Sequence, residues 1–300
     1  MGLAEFSGPP VVLDGGLATE LEARGHDLSD ELWSARLLMD APQEIVAAHL
    51  AFFRAGAQVA TTASYQASFA GFRARGIEHD DTVMLLRRSV ELAKSARDQL
   101  PEQNRARWVA ASAGPYGAAL ADGSEYRGRY GLSVRELTAF HRPRLEVLAA
   151  AEPDLIALET VPDVDEGAAL VAASRGLGVS AWLSYTISGN RTRAGQPLAD
   201  AFSVAVNSDH IVAVGVNCCS PADVPFAMAT AQEVTGKPVI VYPNSGEGWN
   251  EQRHTWSGPS RFSADQARQW YAAGAQIIGG CCRVRPADIE SLSRALTGVA

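Results

Sequence analysis

Apolar residues recur along this chain in two alternating rhythms. Short apolar or β-branched runs fall at 11–16, 58–65, 108–117, 155–162, 180–187, 211–218, 238–245 and 277–282. Several (VVLDGG, LIALETVP, IVAVGVNC, VIVYPNS) are almost continuously apolar, the pattern of parallel strands covered on both faces. Between them lie amphipathic stretches of helical period at 42–55, 80–100, 133–150, 163–175, 221–235, 263–273 and 286–296. Their ends carry the matching chemistry. Pro42 and Pro221 suit a first turn, Ser133, Ser220 and Ser263 suit caps, and Gly56, Gly176, Gly236 and Gly274 suit helix ends.

Eight strands alternating with helices predict an α/β protein built as a single (β/α)8 TIM barrel, one domain over residues 1–300. The competing architecture is an open doubly wound sheet. It would carry a glycine-rich G-x-G-x-x-G turn after its first strand, where this chain has Asp14-Gly15-Gly16. The longest irregular pieces, 17–41, 118–132, 188–196 and 246–261, all follow strand ends, where barrels build their active sites.

Composition narrows the function. With 300 residues, 47% of them hydrophobic, the chain can bury a full core without disulfides. Its net charge of −8 and dispersed basic residues exclude the footprint of a nucleic-acid binder. The basic pairs Arg87-Arg88 and Arg142/Arg144 are read as solvated helix faces. No signal peptide, lipidation signal or membrane span is visible, so the expected compartment is the cytoplasm.

Cysteine placement is the sharpest chemical signal. The four cysteines form two adjacent pairs, Cys218-Cys219 and Cys281-Cys282, at the ends of the sixth and eighth strands. Three thiolates at one barrel mouth with an open fourth position would make a catalytic zinc site. Adjacent cysteines on a regular strand point to opposite faces, so the backbone must leave strand geometry, which Gly279-Gly280 allow. Cys219 is expected to face the helical layer. Two other readings stand beside the metal: small buried core residues, and a vicinal Cys281–Cys282 disulfide, which a cytosolic setting disfavours.

At these residues the sequence resembles the homocysteine S-methyltransferase family. The motifs run in the family's order: Asp14-Gly15-Gly16, Leu158-Glu159-Thr160-Val161-Pro162, Gly215-Val216-Asn217-Cys218 and Gly279-Gly280-Cys281-Cys282-Arg283. The resemblance implies Zn2+ held by Cys218, Cys281 and Cys282, with homocysteine sulfur as the exchangeable fourth ligand. It implies that Glu159 and the Asp14-Gly15-Gly16 turn hold the amino-acid end of homocysteine. Thr160, Asn217 and Asn244 join them as candidate substrate-side or ligand-orienting residues, and 242–247 resembles a donor-side loop. One departure is visible. Arg283-Val284-Arg285-Pro286 replaces the usual Arg-Thr-Thr-Pro and puts the local loop contacts in question.

The chemistry agrees with that implication. A free thiol is mostly protonated at neutral pH, and zinc deprotonates it. Its sulfur can then take a methyl group in line from a sulfonium, S-methylmethionine or S-adenosylmethionine. Betaine as donor, selenocysteine as acceptor, a zinc metallohydrolase and a non-catalytic thiol sensor or zinc store are the alternatives. The expected partners are homocysteine and the sulfonium donor alone, with no nucleic acid and no membrane, in a monomer or small homo-oligomer. Tyr65, Tyr116, Tyr126, Trp33 and Trp249 are mouth aromatics able to face a sulfonium by cation–π contact, and His254 lies in a candidate lid.

Overall fold

The apolar runs become eight parallel strands: β1 (Val11–Val12), β2 (Val59–Thr61), β3 (Trp108–Ala113), β4 (Leu155–Val161), β5 (Ala181–Tyr185), β6 (Ile211–Asn217), β7 (Val239–Tyr242) and β8 (Ala275–Ile278). The computed structural model describes residues 8–28, 33–101, 105–250 and 255–297. Every strand pairs with its neighbour in sequence, and β1 pairs with β8. A bridge from Leu13 to Val59 joins β1 to β2 and closes the ring. The barrel reading therefore holds, and the open sheet is excluded.

Each strand is followed by a helix that returns the chain: α1 (Pro42–Arg54), α2 (His79–Asp98), α3 (Val134–Ala150), α4 (Val164–Ser174), α5 (Leu198–Ser203), α6 (Val224–Thr235), α7 (Ala264–Ala272) and α8 (Pro286–Thr297). The periodicity reveals seven of these and misses α5, whose six residues are too few to display a helical face. Helix-start chemistry acts as its residue types require. Ser133 and Glu136 form a reciprocal capping box on α3, and Ser263 accepts the Gln266 N–H at the start of α7. Among the described residues, no helix is long and apolar enough to cross a membrane.

Alternation along the strands sorts two cores. Val11, Leu13, Val59, Ala110, Leu155, Ala157, Trp182, Ile240, Tyr242 and Ile277 pack together inside the barrel. A larger cluster, including Ile45, Phe52, Leu145, Leu170, Phe202 and Leu292, fills the space between strands and helices. Continuing the same two-residue alternation upward places Ser112, Glu159, Ser184 and Tyr242 as a polar layer closing the lumen at its C-terminal end.

One basic pair departs from the expected solvated face. Arg144 is buried with His141 on α3 against Glu166 of α4. His141 Nε2 lies 2.9 Å from Glu166 Oε1, and Arg144 Nη2 reaches His141 Nδ1 at 2.7 Å and the Gly114 carbonyl. A buried guanidinium is tolerated because a carboxylate and a strand-end carbonyl face it.

Candidate metal centre

The chain departs from strand geometry where the chemistry lies. The β4–β5 register slips between Leu158 and Val161, so β4 carries one extra residue at Glu159-Thr160. Thr160 there sits at φ +59, a left-handed conformation that β-branched residues avoid. Asn217 holds it: Asn217 Oδ1 accepts the Thr160 N–H at 2.8 Å, and Asn217 Nδ2 donates to Thr160 Oγ1 at 2.8 Å. A bulge of this kind re-aims a side chain. Here the residue beside it is Glu159.

Glu159 is buried and accepts a hydrogen bond from Ser112 Oγ. Burial pushes its carboxyl pKa up, while hydroxyl contacts from Ser112 and Tyr242 work in the other direction. Asp14 is a second buried carboxylate nearby. Its Oδ2 accepts the Thr61 N–H at 2.7 Å, and Thr61 Oγ1 lies 3.0 and 3.1 Å from its two oxygens. Burial raises its pKa well above the carboxylate range against those Thr61 bonds, and the charge of Glu159 adds to the rise. Two buried carboxyl groups this close make a pocket suited to a cation.

Cys218 follows β6 in a left-handed conformation, φ +49, with its N–H on the Tyr242 carbonyl at 3.3 Å and its own carbonyl taking Thr186 Oγ1 at 3.1 Å. Cys281 and Cys282 follow β8 and rest on the segment after β7. The Cys281 N–H bonds the Pro243 carbonyl at 2.8 Å, the Cys282 N–H bonds Asn244 Oδ1 at 3.1 Å, and the Cys282 carbonyl takes the Ser245 N–H at 3.0 Å. Asn244 thus holds the backbone at Cys282, while Asn217 holds the β4 bulge. Arg283, at φ +68, extends the clamp with Nε 3.2 Å from Glu247 Oε2 and its N–H 3.0 Å from Thr19 Oγ1.

The glycines act by letting backbones meet. A Cβ on Gly15 would lie 2.5 Å from the Val284 carbonyl oxygen, and one on Gly16 would lie 2.6 Å from that of Cys281. The Gly16 N–H bonds Val284 O at 2.9 Å. Gly279 and Gly280 likewise have no positive φ; a Cβ on either would strike Leu13 or Val284. Their use is close approach, where the sequence reading expected conformational freedom. The contacts questioned by the altered Arg-Val-Arg-Pro stretch are made by its backbone and by the buried Val284 side chain. Gly16→Ala is therefore expected to displace the Cys281 carbonyl and weaken metal binding about 10- to 100-fold, as loss of ligand support does elsewhere. Competition with a chromogenic chelator measures it, and parental affinity would refute this role for Gly16.

The three sulfurs converge. Cys218, Cys281 and Cys282 offer ligand atoms all within 4.8 Å of one another, and among the described residues they are the only such cluster of three or more His, Cys, Asp or Glu. A zinc–sulfur bond of about 2.3 Å with tetrahedral angles separates two sulfurs by about 3.8 Å. Cys218 Sγ and Cys282 Sγ stand 3.9 Å apart, so the donor set fits a soft, tetrahedral metal. Cys218 and Cys281 stand within disulfide reach of one another, Cα to Cα 5.6 Å. A disulfide between them would use two of the same sulfurs that a metal needs. Burial pushes the Cys282 thiol up to about 11, so it ionises poorly at neutral pH without a metal. Cys219 lies in the helix-facing core as expected, its thiol raised by burial.

These strand-end loops can be set beside proteins of known structure. The chain matches the family model for homocysteine S-methyltransferase over residues 11–296. This chain belongs to the homocysteine S-methyltransferase family. It is 45% identical over 290 residues to the homocysteine S-methyltransferase of Escherichia coli, covering 94% of each chain, and 43% identical over 295 residues to YbgG of Bacillus subtilis, covering 95% of this chain and 94% of that one. The metallated crystal form of the E. coli homocysteine methyltransferase MmuM superposes with a TM-score of 0.86 at 44% identity, covering 96% of each chain. Its oxidised form superposes at 0.85, with 44% identity and coverage of 97% and 96%.

The remaining sequence candidates divide. Tyr116 packs on Tyr130 and Phe140, Tyr65 lies against Gly114 and hydrogen-bonds Thr160, and the Tyr126 ring is faced by the Arg193 guanidinium at 5.6 Å while its hydroxyl lies by Cys282. The side chains of Trp33 and Trp249, and all of His254, lie outside the described residues. Tyr242, placed by sequence in a donor-side loop, instead points into the barrel against Glu159. Thr61, Ser112 and Thr19 have no motif to announce them. Only their places at or beside strand ends could have suggested them.

Proposed function

We propose that this chain transfers a methyl group from S-methylmethionine or S-adenosylmethionine to the thiol of homocysteine, giving methionine, with Zn2+ held by Cys218, Cys281 and Cys282. The convergence of those three sulfurs at the barrel mouth carries the proposal. Zinc bound by three cysteinates would supply a deprotonated, still nucleophilic acceptor thiol.

The chain's own residues do the rest. Glu159, re-aimed by the bulge and hydrogen-bonded by Ser112, receives the substrate ammonium, with Asp14 held beside it by Thr61. Thr160 and Asn217 hold that bulge, and Asn244 holds the Cys282 backbone. Gly15 and Gly16 seat the cysteine loop at the edge of the same pocket. The thiol gives up its proton, its sulfur bonds the methyl carbon, and the donor's carbon–sulfur bond breaks to release a neutral thioether. No covalent enzyme intermediate is needed. A reducing compartment, the cytoplasm, keeps Cys218 and Cys281 available as thiolates.

Zinc-loaded protein mixed with homocysteine should form methionine with S-methylmethionine or S-adenosylmethionine, and less with betaine. Absence of methionine with all three donors, from protein holding one zinc, would overturn the proposal in favour of a zinc store or hydrolase.

A further inference from the structure

The polar layer above the lumen contains a phenol with two acceptors for its one proton. Tyr242 Oη lies 3.0 Å from Trp182 Nε1 and 2.6 Å from Ser184 Oγ, and it also hydrogen-bonds Glu159. An indole N–H can only donate, so Tyr242 Oη is its acceptor. Ser184 Oγ has a second acceptor in Asn217 Oδ1 at 2.8 Å, an oxygen already fixed by the Thr160 N–H. If Tyr242 turned its proton toward Ser184, its lone pairs would face an ionised Glu159. The charged acceptor therefore takes the phenolic proton, Ser184 gives its own to Tyr242, and the Thr160 N–H still serves Asn217 Oδ1. Asp14 and Tyr65, the other titratable groups around Glu159, offer it no positive charge.

We propose that Tyr242 is a positioning residue for Glu159: its phenolic proton, steered by Trp182, aims and holds the carboxylate for the substrate's ammonium. This rests on the homocysteine reading above. The same residue's carbonyl accepts the Cys218 N–H, so one strand end touches both the amino-acid pocket and the metal ligand.

The test is a double-mutant cycle on zinc-loaded enzyme, reading homocysteine affinity and zinc content together. Tyr242→Phe alone should weaken homocysteine binding about 10- to 150-fold, the range for a hydrogen bond to a charged group, with zinc content unchanged. In a Glu159→Gln background the same change should cost less than about threefold, and 4-mercaptobutanoate, which lacks the amino group, should be bound equally by parent and Tyr242→Phe. Additive losses, or an equal loss on 4-mercaptobutanoate, would make Tyr242 a packing residue and overturn the inference. If Tyr242→Phe does not fold, Trp182→Phe frees the phenol from its fixed donor and should weaken homocysteine more than 4-mercaptobutanoate; equal effects on the two overturn it. Failure of the parent itself to bind homocysteine would instead remove the functional reading beneath it.

Discussion

Cys281→Ala is expected to yield a folded barrel with neither metal nor methyl transfer. Its sulfur is one of three that converge, and two sulfurs leave a tetrahedral ion short of protein ligands. The loss in metal affinity should exceed the roughly 100-fold that mere outer support costs. Cys218→Ala and Cys282→Ala should behave alike, because each supplies the same kind of ligand. Cys219→Ala is the internal control. Its thiol packs in the helix-facing core and takes no part in the cluster, so metal and activity should persist with only a small loss of stability. Metal analysis by mass spectrometry beside circular dichroism separates the outcomes. Full zinc occupancy in folded Cys281→Ala would sink the ligand assignment.

Glu159→Gln should divide substrate binding from metal binding. The amide keeps an acceptor oxygen and the approximate shape but removes the charge. Truncating one side of a buried charge pair costs roughly 2–5 kcal/mol, which is about 30- to 5,000-fold in affinity. Homocysteine binding should fall by that much while zinc content stays at the parental level. Calorimetry on zinc-loaded protein would show it. Unchanged affinity would exclude the ammonium pairing, and a loss of zinc would make Glu159 a support of the metal site instead.

Much of this arrangement is legible in the sequence because strands buried on both faces leave an unmistakable trace. The runs at 155–162 and 211–218 could hardly be anything else, and each carries a residue of chemical interest toward its end, Glu159 and Cys218. What the pattern conceals is of two kinds. Helix α5 is too short to show a period. Arg144 reads as a surface charge because its partners, Glu166 and the Gly114 carbonyl, arrive from other elements. The contacts of Asn217, Tyr242 and Thr61 are hidden for the same reason, since each spans a large sequence separation that no local rule encodes. The glycine motif is visible in the sequence, but the final loop that lies against it is more than 260 residues away and leaves no local trace.

That contact also bears on how the molecule matures. The first turn, at Gly15 and Gly16, is completed by carbonyls of Cys281 and Val284, so head and tail of the chain must find one another before Cys281 and Cys282 come into register with Cys218. Such distant pairings carry the largest loop-closure entropy and tend to form late. A nascent or misfolded chain can display Cys218 without ever capturing metal firmly. Tightly held zinc would thus be a stoichiometric seal on a finished barrel, and catalysis would be withheld from every chain that has not closed.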